Sequence, residues 1–115
     1  MLVVDPWHWL EKDGSLPLDD SRLRRRVLRV ARFIEYGAEL ERGSLRETLL
    51  ECNKRPGGKP CPGLMWVMKT ASDELLGFCM ACRNEELLIH NWQRTEWAEG
   101  MMPPVEAQTQ PQVLN

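Results

Sequence analysis

The sequence predicts an α+β fold in one domain, an N-terminal helix packed on a small antiparallel β-sheet. Three observations predict it. Apolar residues recur at helical spacing over 20–36, the pattern changes to short strand-like runs from Leu45 onward, and all four cysteines of the 115-residue chain lie in that second half. Fifteen basic against seventeen acidic residues leave a formal net charge of −2, so no global positive excess advertises nucleic acid. At 43% hydrophobic and 28% charged, the composition is that of neither a wholly disordered chain nor a membrane bundle.

The chain divides into an N-terminal arm (1–19), an Arg-rich amphipathic helix and loop (20–44), a cysteine-bearing β-region (45–98) and a tail (99–115). In the arm, Met1–Val4 is a short apolar run broken at once by Asp5-Pro6. With neither a basic leader nor a long apolar core, no export signal or membrane span is expected, and a cytoplasmic location is. Asp13-Gly14 signals a hairpin turn, but Pro17 weakens the return strand, so an irregular arm is expected. Trp7 and Trp9, at period two, are expected to anchor it to the domain. The tail after Gly100 carries Pro and Gln without an apolar period and is expected to be poorly ordered.

The helix should begin at the N-cap candidates Asp19, Asp20 and Ser21. Leu23, Val27, Val30, Ala31 and Ile34 then share one face, and Gly37 is expected to stop the helix in the left-handed conformation. The opposite face carries a stripe of Arg22, Arg25, Arg26, Arg29 and Arg32, with Arg24 at its border. Guanidinium forks suit phosphate oxygens. A solvated face, or one paired with acidic residues, is the plainer reading of such a stripe.

From Leu45 the strand candidates are 46–52, 64–70, 75–79 and 85–92. The basic, turn-rich loop Asn53–Pro60 and the polar turn 71–74 lie between them, giving an antiparallel meander. Within it, Cys79 and Cys82 form a CxxC pair at the end of a strand, and Asn84 can supply the positive φ that closes such a knuckle. Cys61-Pro62-Gly63 resembles half of a second knuckle, and Cys52 arrives across an eight-residue loop. Seventeen residues between Cys61 and Cys79 suffice for two strands and a turn, which brings both pairs to one end of a hairpin. This is the logic of a zinc ribbon, and it predicts one structural Zn2+ on Cys52, Cys61, Cys79 and Cys82.

Other uses of these thiols rank lower. Disulfides do not suit a chain without an export signal. Iron–sulfur ligation lacks its usual spacings, and a thioredoxin-like role for Cys79 and Cys82 lacks a βαβ context. Substituting His90 for Cys52 as a ligand is disfavoured, because His90 lies on a strand running away from the knuckle.

A closed four-thiolate site folds a domain rather than doing chemistry. No P-loop spacing or nucleophile motif stands elsewhere, so an enzyme is not expected; the weak enzymatic alternative is a metal-independent site of His90 with Glu85 or Glu86. Binding is the better-supported role. Its contacts would be the Arg22–Arg32 stripe and Lys54, Arg55 and Lys59 of the loop beside the metal. Trp66, Trp92 and Trp97 offer stacking surfaces, although Trp66 and Trp92 are expected in the core and Trp97 over the sheet edge. A protein-interaction adaptor, presenting an apolar and tryptophan-bearing face to a partner or a second copy, is the alternative.

The segments DPWHWL, LRRRVLRVARFIEYG, RPGGKPCPGLMWV, FCMAC and IHNWQRTEW together resemble a family of short bacterial four-cysteine proteins with no established activity. The resemblance covers about residues 5–105 and is most specific at KPCPGLMWV and IHNWQ-TEW. It implies a four-cysteine, zinc-ribbon-like module and no particular reaction. The wide gap from Cys52 to Cys61 departs from the common ribbon pattern of two CxxC pairs.

Overall fold

Asp20 opens the one α-helix among the described residues. The computed structural model describes residues 1–100, and the expected tail beyond Gly100 lies outside them. The Asp20 backbone is extended, and its carboxylate accepts from the amides of Arg22 and Leu23, each at 3.1 Å. This satisfies two of the donors that a helix start leaves without partners. Helix α1 (Ser21–Gly37) buries Val27, Val30, Ala31, Phe33, Ile34 and Tyr36.

Gly37 does not stop the helix in the left-handed conformation; it is the last residue of α1, and Ala38 caps it with ordinary right-handed geometry. The reason for a glycine there is space. A Cβ on Gly37 would lie 2.9 Å from Leu75 and 3.0 Å from Val67. The carbonyl of Ala38 is met instead by the buried Lys69, whose Nζ donates to it at 2.7 Å. A cation at this end also complements the helix dipole. The same ammonium stands 5.0 Å from the centre of the Trp92 ring.

The strands are β1 (Leu2–Val4), β2 (Leu45–Glu51), β3 (Leu64–Lys69), β4 (Leu75–Cys79) and β5 (Glu85–Ile89). They form one sheet in the order β1-β5-β4-β3-β2. Four strands make the antiparallel meander that the sequence predicts, but the sheet as a whole is mixed. The arm is not wholly irregular: Met1–Val4 supplies β1, which pairs parallel to β5 with Val4 opposite Ile89. The arm then turns through a short 3-10 segment at Pro6–His8. Trp7 donates its Nε1–H to the Asn91 carbonyl at 3.0 Å, and the Asn91 amide donates to Asp5 at 2.7 Å. Trp9 packs on the core. Asp13-Gly14 does form a turn, with Gly14 at φ 84°, but no strands flank it.

Two irregularities shape the sheet. Between Glu47 and Glu51, β2 carries more residues than β3 opposite it. The Thr48 hydroxyl fills the gap, donating to the Met65 carbonyl at 2.8 Å and accepting from the Leu50 amide at 3.0 Å, while the Tyr36 hydroxyl accepts from Leu49 at 3.2 Å. In β5, Leu87 faces Gly77 while Glu85 faces Phe78, so Glu86 is the extra residue of a bulge. Bulges re-aim side chains, and here Glu86 meets Arg29 of α1 in a two-pronged pair, both contacts at 2.8 Å.

The core joins Val30, Phe33, Ile34 and Tyr36 of α1 to Val4, Met65, Val67, Leu75, Cys79, Leu87, Ile89 and Trp92. Trp92 is 4% exposed, as expected of a core residue, and its Nε1–H donates to the Asp73 carbonyl. Trp66 is not in the core: it stands half-buried on the other face of β3, because every residue from Leu64 to Met68 is apolar and alternation assigns only every second one inward. Trp97 packs on the core, and its 3-10 segment, Glu96–Glu99, contacts α1.

The ring of Phe33 lies where a Cβ on Gly77 would fall, with ring carbons at 2.9–3.2 Å. A Gly77→Ala substitution is expected to lower unfolding stability by about 1–3 kcal/mol through overpacking. Adding Phe33→Leu should relieve part of that cost, so a double-mutant cycle by urea unfolding should give a clear coupling between the two positions.

Candidate metal centre

Cys79 ends β4 and Met65 of β3 stands directly opposite it, so the two strands deliver the Cys61 and Cys79 ends of the chain to the same edge. Cys52 follows β2 immediately and is held by its amide, which donates to the Gly63 carbonyl at 3.0 Å. Cys82 follows on the turn between β4 and β5. The four sulfur atoms lie within 4.8 Å of one another. Cys52 Sγ is 3.7 Å from Cys82 Sγ, and Cys61 Sγ is 3.7 Å from Cys79 Sγ. These separations are far too long for disulfides, and all four thiols are free. They match the edge of a tetrahedron with metal–sulfur bonds of about 2.3 Å, which is ~3.8 Å. The set can hold a metal ion.

The turn that carries Cys82 differs in one detail from the expectation. Arg83, not Asn84, takes the positive φ, at 62°. Asn84 acts through its side chain, donating its amide to Cys82 Sγ at 3.2 Å, and its carbonyl accepts from the Cys79 amide at 2.8 Å. On the other knuckle the Gly63 amide donates to Cys61 Sγ at 3.4 Å.

These contacts divide the thiols. The Asn84 side chain, aided by the Asn84 backbone amide, lowers Cys82 to about 6, so this sulfur is largely thiolate at neutral pH. Burial pushes Cys52 up to about 12. The Gly63 amide pulls Cys61 down, but burial and the neighbouring Cys79 and Cys82 thiols outweigh it and the net direction is up. Unshared negative charge in so small a volume is costly, and a cation removes that cost.

Gly63 sits at closest approach. A Cβ there would lie 2.7 Å from the Ala81 Cβ and 2.9 Å from Cys79 Sγ. In the sequence Gly63 is legible only as part of half a knuckle; its spacing role, and that of the Asn84 side chain, depend on how the two turns face each other.

Arg29 links this centre to the helix. Besides Glu86, its Nη2 donates to the Glu51 carbonyl at 2.9 Å, one residue before Cys52, and its guanidinium lies 5.6 Å from the centre of the Phe33 ring. Arg29 is therefore paired, as is Arg32, which meets Glu35 at 3.3 Å. For these two arginines the plainer reading of the stripe holds. Arg22, Arg25 and Arg26 remain exposed and, with Arg29, line a shallow depression of about 420 Å³. Arg26 and Arg29 also border a second cleft of about 420 Å³ with Trp9, Asn53 and Lys54. Arg55 donates to the Gly58 carbonyl at 3.0 Å, and Lys59 is exposed.

His90 is not joined to Glu85 or Glu86. Its Nδ1 stands 2.7 Å from a Glu74 carboxylate oxygen, while Glu86 is held by Arg29. Comparisons with family models, with curated proteins and with solved structures find no match to this chain. No helix among the described residues is long and apolar enough to cross a membrane.

Two outcomes follow for the centre. Gly63→Ala should weaken metal affinity by at least tenfold in a competition titration against a chromophoric chelator, because the added methyl separates the two turns. Metal binding at pH 7 should release at least two protons, from Cys52 and Cys61, with little contribution from Cys82. Affinity should accordingly rise with pH, since protons compete with the ion below the raised pKa values. Calorimetry in buffers of different ionisation enthalpy reads this release directly.

Proposed function

We propose that the four cysteines hold one structural Zn2+, and that the chain is a non-enzymatic, zinc-ribbon-like module that recognises nucleic acid or a nucleic-acid-associated protein. Zinc suits the donor set, since four thiolates in tetrahedral disposition satisfy it fully. Such a site leaves no open position for water, which favours a structural role over hydrolysis.

The observation that carries the binding reading is the cleft where α1 approaches the loop after Cys52. Arg26 and Lys54 line it together with the half-buried indole of Trp9, and the Glu86 carboxylate in the same lining is held by Arg29. Cations for phosphate beside an aromatic plane are what single-stranded nucleic acid uses. The adjoining depression adds Arg22 and Arg25. Among the described residues these four cations have no ion-pair partner, unlike Arg29, Arg32 and Arg42. Asn53 and Lys54 follow a metal ligand directly, so the ion would fix one wall of the cleft.

Elemental analysis should find one zinc per chain, lost in Cys79→Ser. The zinc-loaded protein should bind a labelled random 20-nucleotide single strand, measured by fluorescence anisotropy. The slope of log affinity against log salt should be about −3, from four phosphate contacts at about −0.7 each. Replacing Arg22, Arg25 and Arg26 by Gln together with Lys54→Gln should abolish most of the binding and keep the zinc. No binding at low salt, or binding unchanged in this variant, contradicts direct recognition of nucleic acid.

A further inference from the structure

The face of the sheet away from α1 is apolar across all five strands. Register places Val3 beside Leu88, Leu88 beside Leu76, Leu76 beside Met68 and Met68 beside Leu45, one unbroken row from edge to edge. The next row sets Phe78 beside Trp66, and Leu64 continues the β3 side of this face. None of these residues belongs to the core or packs against it. The solvent face of an antiparallel sheet is ordinarily polar, and an apolar surface of this continuity marks an interaction site.

Charge at the border names the partner. Glu85 and Glu47 close the two ends of the Phe78–Trp66 row, and Glu51 lies beside Leu64. At the paired positions of this face every charged residue is acidic; Arg83, on the turn after β4, is the one cation that lines a depression with Phe78 and Glu85, and the three carboxylates outnumber it. A second copy of the chain would bring two sets of carboxylates to the same apolar boundary, where like charges oppose association.

We propose that this face docks an amphipathic helix of another protein, apolar along one stripe and flanked by Lys or Arg. Five strands at a spacing of about 4.8 Å present a surface about 20 Å across, which a helix of about 14 residues spans at 1.5 Å per residue. The apolar stripe covers the Leu88–Leu76–Met68 row and the Trp66–Phe78 pair, and the basic flanks meet Glu47, Glu51 and Glu85. This surface lies on the opposite side of the sheet from the helix that carries the Arg stripe, and the inference does not rest on nucleic-acid binding.

The test uses the full zinc-loaded chain and three labelled 14-residue peptides, read by fluorescence anisotropy. One is a Leu/Lys amphipathic helix, one a scrambled Leu/Lys sequence of the same composition, and one a Leu/Glu amphipathic helix. The first should bind at least about tenfold tighter than either of the others. Leu76→Lys should remove that preference. The paired change Glu47→Gln with Glu85→Gln, at the border and away from the core, should weaken the Leu/Lys helix severalfold without disturbing the fold. Equal binding of all three peptides, binding of none, or binding untouched by the Glu47/Glu85 variant overturns the proposal. Light scattering that shows a concentration-dependent dimer lost in Leu76→Lys also overturns it, by assigning the face to a second copy.

Discussion

Four thiols converging within 4.8 Å are the constraint on which the rest of the molecule depends. Each arrives from a different piece of chain: the end of β2, the approach to β3, the end of β4 and the turn that follows. Sulfur atoms so placed resist being ionised together, yet two of their separations, Cys52–Cys82 and Cys61–Cys79 at 3.7 Å, are those of a tetrahedral ion's corners. In the reading proposed above, a cation resolves that conflict and fastens one end of the sheet. The other end is fastened by ordinary means: the buried Lys69 meets the close of α1, and Trp92 packs beneath the ammonium.

Arg29 connects the two halves. One guanidinium grips Glu86 on β5, the carbonyl before Cys52 on β2, and the face of Phe33 within its own helix. The bulge in β5 is what brings Glu86 within its reach. Helix, far strand and cysteine cluster are thereby set relative to one another. The neighbouring Arg22, Arg25 and Arg26 stay at the surface, so the stripe holds both structural and unengaged cations.

Much of this was legible in the sequence because it is local. The Asp20 cap, the apolar face of α1, the 75–79 strand and the convergence of Cys61 with Cys79 follow from periods and spacings within a few tens of residues. What was not legible depends on partners distant in the chain. Met1–Val4 reads as a broken apolar run until β5 offers it an edge more than eighty residues later. Gly37 looks like a helix stop until Leu75 and Val67 are seen to occupy the space of its missing side chain. Trp66 sits in a run apolar on both faces, so alternation alone cannot say which face meets α1. The Arg29–Glu86 pair spans fifty-seven residues and leaves no local trace.

In the proposed reading one ion, held by these four sulfurs, organises the cysteine end of the sheet. Zinc K-edge X-ray absorption of the purified protein reads the ligands of that ion. The spectrum should show four sulfur atoms at about 2.3 Å around the zinc and no nitrogen or oxygen ligand. A shell that includes nitrogen or oxygen, or protein that folds to the same far-ultraviolet circular dichroism spectrum without any bound metal, would contradict it.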